Sequence, residues 1–291
     1  MSLYQRSGSY IPRVAAVHDL CGYGKCSLGI AIPVLSAAGC DVCPVPTGVF
    51  SSHTGFPGWY MHDTTDILPE YLDAWRGIEL QVDAVYSGFL GAPEQVDRIL
   101  ELYAMYPQAL HVVDPVMADH GKIYPTYTPA LCAAMAELAR GADILTPNLT
   151  EAAIILRREW HGADISVDEA RDITEALLNL GARNVVLKGI QAKGDSVIRN
   201  YVAGESCAFT EVTNEYLPYM LHGTGDLYCS CLLAAIMTGS SLLDAAAFAG
   251  DFVHDAMLVS ARQPDFRNRG VSFEPLLGRV CDLMRQIPAD R

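Results

Sequence analysis

The sequence predicts an α/β fold: a three-layer, doubly wound, mainly parallel central sheet with helices on both faces, forming one domain over residues 1–291 with a small or minimal lid. Three observations carry this expectation. Short apolar stretches alternate with helical patterns over about 190 residues, which a mainly parallel sheet covered on both sides accommodates. Polar and acidic residues collect at the carboxyl ends of those stretches, where such sheets bind their ligands. A glycine-rich turn opens a late apolar helix, and the free N–H groups and dipole at a helix start favour an anion.

Arg13-Val14-Ala15-Ala16-Val17 reads as a buried strand delivering His18 and Asp19, followed by Cys21-Gly22-Tyr23-Gly24-Lys25 and a helical pattern over 27–38. Either acid or imidazole would touch a polar substrate or simply close the strand. The corner is not a P-loop. Asp19 stands where its first glycine belongs, and Cys26 separates Lys25 from Ser27. Nor does Gly22-Tyr23-Gly24-Lys25-Cys26-Ser27 have the third glycine of a dinucleotide turn, which removes an oxidoreductase.

Residues 42–49 suit an edge or irregular strand, because Pro44 and Pro46 cannot donate to a ladder. The polar loop Ser51-Ser52-His53-Thr54-Gly55-Phe56 follows. A helix capped near Asp63 is expected over 63–75, a strand over 83–88 and a helix over 93–105. The strand at 110–116 carries Asp114 near its end with Asp119 soon after. Two acids there would hold a metal through water, or Asp114 would bond backbone in a capped loop. A helix over 131–139 and a strand over 142–145 lead into Thr146-Pro147-Asn148, with Glu151 in the next helix. Then come a helix over 167–180, a strand over 184–187 ending in Lys188-Gly189, and a β-rich stretch over 195–213. Two helices, one from Gly223 and one from 242 to 260, close the fold, while residues 1–11 read as a flexible lead.

With 51% apolar and 19% charged residues the chain can bury a large core and is not disordered. Its net charge of -14 excludes a nucleic-acid or anionic-membrane surface, which needs clustered Lys and Arg. An anionic ligand must therefore be held by backbone dipoles, a few cations or a metal. The nine cysteines show no CxxC pair and no disulfide framework, so they read as reduced core residues. Cys21 and Cys26 alone, flanking a glycine turn, are placed to meet a ligand. The polar start and the lack of an apolar run of about 18 residues predict a soluble, cytoplasmic protein.

In Gly223-Thr224-Gly225-Asp226 the glycines allow a sharp turn and Asp226 stands beside the anion site, where a general base for a hydroxyl belongs. Its alternative role is an N-terminal cap.

Four motifs stand in order: Ser52-His53-Thr54-Gly55, Asp114-Pro115-Val116-x-x-Asp119, Thr146-Pro147-Asn148-x-x-Glu151 and Gly223-Thr224-Gly225-Asp226. Together with the corner Gly22-Tyr23-Gly24 they make residues 13–260 resemble the ribokinase-like superfamily, and within it the pyridoxal kinase branch. The resemblance implies transfer of the ATP γ-phosphate to the 5′-hydroxymethyl group of pyridoxal, pyridoxine or pyridoxamine. It makes Asp226 the base and Gly223, Thr224 and Gly225 the anion hole, and it puts Asp114, Asp119 and Glu151 around Mg²⁺. Thr146, Asn148 and Glu151 would face the nucleotide phosphates, with Lys188 as the nearby cation. Asp19, His53 and Thr54 would hold the ring, with Tyr86 or Phe89 as a stacking neighbour. A homodimer and an assisting monovalent cation belong to the same resemblance.

Some residues depart from the pattern. Val17 stands where many animal pyridoxal kinases have serine, which passes ring recognition to Asp19. No Gly-Gly pair occurs near Gly39, which disfavours the adenosine and sugar kinases. Lys188-Gly189 resembles other branches and keeps hydroxymethylpyrimidine kinase as the alternative; a vitamer-binding protein without catalysis is a third reading.

Overall fold

Strand β1 (Arg13–Cys21) is apolar on both faces, the pattern of a strand buried between two layers. Val14 and Ala16 enter one core and Ala15 and Val17 the other, as the two-residue period of a strand requires. In the computed structural model, which describes residues 2–287, the chain continues through α1 (Leu28–Ala37), β2 (Asp41–Phe50), β3 (Met61–Asp63) and α2 (Leu68–Gly77). Next come β4 (Ala84–Ser87), α3 (Pro93–Met105), β5 (Leu110–Val113) and a hairpin of β6 (Ala118–Asp119) and β7 (Lys122–Ile123). They are followed by α4 (Pro129–Arg140), β8 (Ile144–Leu145), α5 (Leu149–Leu156), α6 (Val167–Leu180) and β9 (Asn184–Ile190). The chain ends through β10 (Val197–Gly204), β11 (Cys207–Glu215), α7 (Thr224–Met237), α8 (Leu242–Ser260), α9 (Phe266–Arg269) and α10 (Leu277–Leu283).

One sheet runs in the order β11-β10-β9-β8-β5-β4-β1-β2-β3. Its centre, from β2 to β9, is parallel, and β3, β10 and β11 add antiparallel edges. Residues of α1, α7, α8 and α10 fill the core on one face, and those of α2 to α6 fill the other. The predicted three-layer α/β fold is therefore the observed one. Helix α7 is buried along Leu227 to Met237, so a sequence apolar all round becomes the central helix of its layer. No helix among the described residues is long and apolar enough to cross a membrane.

The two prolines of β2 sit where the sheet tolerates them. β2 pairs with β1 along its length, but on its outer side only Gly48–Phe50 meet β3. The carbonyls of Pro44 and Pro46 accept from the Tyr71 and Thr64 hydroxyls at 2.6 Å each, so each missing N–H falls on that same unladdered side.

Three expectations need correction. The helix expected from Asp63 starts at Leu68, with Pro69 in its first turn, and Met61–Asp63 is instead an edge strand. Asp63 accepts from the Thr65 N–H at 2.7 Å, closing a turn rather than capping a helix. The chain also continues past the helix at 242–260 into α9 and α10, with Val280 and Leu283 buried against the α7 layer. Finally, the lead at 1–11, outside Met1, is docked. Arg6 donates to the carbonyls of Ala38 and Gly39 at 2.8 Å each, satisfying acceptors at the end of α1. Asp83 accepts from Tyr4 Oη (3.2 Å), Tyr10 Oη (3.0 Å) and the Arg13 N–H (2.8 Å).

Removing that shared acceptor in Asp83→Ala leaves three donors to find water, and hydrogen bonds to a charged group each contribute about 1.5–3 kcal/mol. Urea unfolding should show a loss of about 2 kcal/mol, and an unchanged midpoint would show that the lead is not anchored through Asp83.

Candidate active site

The start of α7 is pressed against the corner that follows β1. Gly223 is the N-cap residue, in the left-handed region at φ 83, and a Cβ there would overlap the Lys25 carbonyl oxygen. Only glycine satisfies both conditions. The first N–H groups of the helix, those of Thr224, Gly225 and Asp226, have no intrahelical acceptor and sit at the positive end of its dipole.

Asp226 does not cap α7, since no side chain does. Its Oδ2 accepts the Ser27 N–H at 3.0 Å, and its buried Oδ1 has no partner. Burial above all, with the charges of Asp114 and Asp19, pushes this carboxyl up to about 7 against the opposing Ser27 N–H and Lys188. A group so placed exchanges a proton near neutral pH. Ser27 delivers its N–H from φ 51, a conformation that costs a non-glycine residue roughly 1–3 kcal/mol and clusters at functional sites.

Lys188 lies over the same helix start: its Nζ would be 3.6 Å from a Cβ built on Gly225. It donates to Asp114 Oδ1 at 2.5 Å, while Asp114 Oδ2 is buried without a partner. Burial alone would lower the ammonium, but Asp114 and then Glu151 outweigh it and hold it above its ordinary value. The Asp114 carboxyl is raised, because burial exceeds the pull of Lys188 and of the Thr146 hydroxyl. Burial likewise takes Glu151 up to about 8 despite Lys188. Lys188 is the only buried lysine or arginine among the described residues, against the buried acids Asp19, Asp114 and Glu151 and the half-buried Asp226, whose Oδ1 is itself buried. The excess of negative charge and the two orphaned oxygens form a donor chemistry that suits a hard dication.

Other expected residues fall differently. Asp119 is half-buried in the hairpin, where its Oδ1 accepts the His120 N–H at 2.8 Å, and it does not join Asp114 and Glu151 in a convergent group of three donors. Asn148 and Glu151 form a capping box on α5: Asn148 Oδ1 accepts from the Glu151 N–H (2.9 Å), and Glu151 Oε2 accepts from the Asn148 N–H (2.8 Å). Asn148 Nδ2 donates to the Ala118 carbonyl at 2.8 Å, so both ends of its amide already hold a protein partner. The buried Thr146 hydroxyl donates to Cys229 Sγ at 3.5 Å.

His53 has both ring nitrogens occupied. Nδ1 accepts from the Gly55 N–H at 3.1 Å, which leaves Nε2 to donate to the Asn268 carbonyl at 3.0 Å. The ring stacks on His222 at 4.0 Å, and the absence of a Cβ at Gly24 makes room for it. His53 thus braces the corner, with Thr54 half-buried beside it. Phe89 is core, wedged between Phe50 (5.5 Å) and Tyr127 (5.7 Å), and has no open face for a substrate ring. Tyr86 is fully buried, with its hydroxyl 3.5 Å from the Asp226 carbonyl and from Ser230 Oγ. His18 is fully buried and held neutral, its pKa lowered by burial to about 3.

Two contributors escape the sequence. Ser27 acts through its backbone, which no side-chain pattern marks. Tyr124 lies near enough to Glu151, Asp119, Asp226 and Asp114 for their charges, after burial, to raise its phenol; an aromatic residue in the polar loop after Asp119 was the available signal.

Residues 34–268 match the family described as phosphomethylpyrimidine kinase. A pyridoxal kinase of Pseudomonas aeruginosa is 30% identical over 264 residues, which cover 85% of this chain and 88% of that protein. A Bacteroides thetaiotaomicron protein assigned to the phosphomethylpyrimidine kinases, crystallised with pyridoxal, superposes with a TM-score of 0.89 at 32% identity, covering 93% of this chain and 96% of the other. The pyridoxal kinase of Lactobacillus plantarum superposes at 0.86 with 26% identity, over 94% and 98% of the two chains. The match over residues 34–268, the 30% identity to a pyridoxal kinase along most of both chains and the shared sheet place the chain in the phosphomethylpyrimidine kinase family of the ribokinase-like superfamily, among its pyridoxal kinases.

Proposed function

We propose that this chain is an ATP-dependent kinase that phosphorylates the 5′-hydroxymethyl group of pyridoxal, pyridoxine or pyridoxamine. One observation carries the reading: Asp226 presents an unpartnered, buried carboxyl oxygen at a glycine-capped helix start beneath a lysine. The substrate hydroxyl donates to Asp226 Oδ1 and loses its proton there as its oxygen bonds to the γ-phosphorus, while the bond from that phosphorus to the β,γ-bridging oxygen breaks and ADP leaves. The N–H groups of Thr224, Gly225 and Asp226 face the transferring group, and fixed donors of this kind stabilise charge as it spreads over the phosphoryl oxygens. Lys188 adds a positive charge and remains protonated because Asp114 and Glu151 hold it so.

Asp114 through Oδ2 and Glu151, with Asp119 through water, would hold Mg²⁺, which supplies neutralisation of the nucleotide phosphates when bound. Asp19, buried beside Asp226, is the polar contact left for the ring, since His53 is occupied by Gly55 and Asn268. The Pseudomonas and Lactobacillus kinases and the pyridoxal held by the Bacteroides protein support a B6 vitamer as acceptor. The family description favours hydroxymethylpyrimidine as the second reading.

With ATP and Mg²⁺, kcat/KM for pyridoxal should exceed that for hydroxymethylpyrimidine by about tenfold or more, and the reverse order would select the pyrimidine. Asp226→Asn should lower kcat by about 10²–10⁴-fold; turnover within a few-fold of the parent would remove the base from this position. The pH profile follows from the raised acid. Below its pKa Asp226 carries a proton and cannot accept another, so kcat/KM should fall with decreasing pH through about 7. A limb near the ordinary carboxylate range, about 4, would contradict that assignment.

A further inference from the structure

The glycine corner that supports Asp226 also gathers a second donor set. The reacting atoms of Asp19, Cys21 and Cys26 all lie within 4.8 Å of one another, the only such convergent group of three among the described residues. Asp19 and Cys21 are two apart at the end of β1 and share a face, and a register shift between His18 and Leu20 marks the local irregularity there. Gly24 at φ 92 turns the chain back and returns Cys26 to them. Cys21 Sγ is 3.4 Å from Asp19 Oδ2. Two thiolates on one zinc at about 2.3 Å each stand roughly 3.8 Å apart, so the set needs only a small contraction.

We propose that Asp19, Cys21 and Cys26 form a three-donor site for a thiophilic divalent cation of the zinc and cadmium class, at the rim of the candidate active site. Two sulfurs and one carboxylate are soft enough to prefer such an ion to Mg²⁺. Asp19 is buried and no lysine or arginine among the described residues pairs with it, whereas both cysteines are half-buried and reachable. The apo site resists ionisation. Burial raises the Asp19 carboxyl, and the Cys21 contact, burial and Asp19 raise the Cys26 thiol. A dication reverses that penalty: each thiol gives its proton to solvent, two metal–sulfur bonds form, and the carboxylate completes the set. The Cys26–Ser27 peptide supplies the N–H that holds Asp226, so an occupied site adjoins the candidate base through a single peptide unit.

The test uses the reduced, metal-free full chain and Cd²⁺ alone, so it stands or falls independently of kinase activity. The site predicts one equivalent bound with a thiolate-to-metal absorption band. Cys21→Ser and Cys26→Ser should each weaken binding by about tenfold or more and reduce the band, Asp19→Asn should weaken binding while retaining it, and Cys281→Ser should change neither. An unaltered titration in the Cys21→Ser/Cys26→Ser double variant, or no thiolate band in the parent, would overturn the assignment. Should the serine variants fail to fold, cadmium NMR of the parent decides: a resonance of a two-sulfur site supports the proposal, and one of an oxygen and nitrogen site, or none, refutes it.

Discussion

A hydrogen bond from the Ser27 N–H to Asp226 Oδ2 joins the corner after β1 to the start of α7, between residues 199 apart in the chain. Neither end makes the contact alone. It requires the sheet to place β1, the left-handed Gly223 to bring α7 against Lys25, and Ser27 to accept an unfavourable φ. A buried carboxylate without partners would take up a proton well above its ordinary range, and one with several N–H donors would stay ionised far below it. One donor leaves Asp226 between those limits with an oxygen to spare. Base strength and availability are thus set by the same tertiary contact.

The rim around it carries an electrostatic load. A parallel sheet delivers the ends of β1, β5 and β8 to one rim, and in this chain Asp114 and Glu151 meet Lys188, the single buried lysine or arginine among the described residues, while Asp226 feels both that cation and the charges of Asp114 and Asp19. Burying that much like charge opposes folding. The two apolar cores on either side of the sheet offset it, and the raised carboxyls record what remains unneutralised. An arrangement of this kind is kept where a positively charged ligand relieves it, which is how the fold's cost becomes the site's affinity.

The sequence conveyed those features whose cause is local. Period-two burial in β1, prolines on an open strand side and a glycine turn before an apolar helix each follow from the residues themselves. It conveyed less where one pattern serves two purposes. Asn148-x-x-Glu151 reads equally as a phosphate and metal motif and as the capping box of α5, and in the folded chain the cap occupies the Asn148 side chain. His53 looked free for a ring because neither Gly55 nor Asn268 can be seen as its partner from sequence. Phe89 reads from sequence equally as a stacking neighbour, a lid residue or core, and only the packing of Phe50 and Tyr127 against it selects core. The Ser27 N–H is invisible in principle, since every residue but proline has one.

The account rests on Asp226 being a carboxyl that titrates near neutrality in the folded chain. Carbon-13 NMR of aspartate-labelled protein, with Asp226→Asn to assign the resonance, reads that titration directly and without turnover. A midpoint at about 7 is the predicted result. A midpoint near about 4, the value of a solvated aspartate, would contradict it.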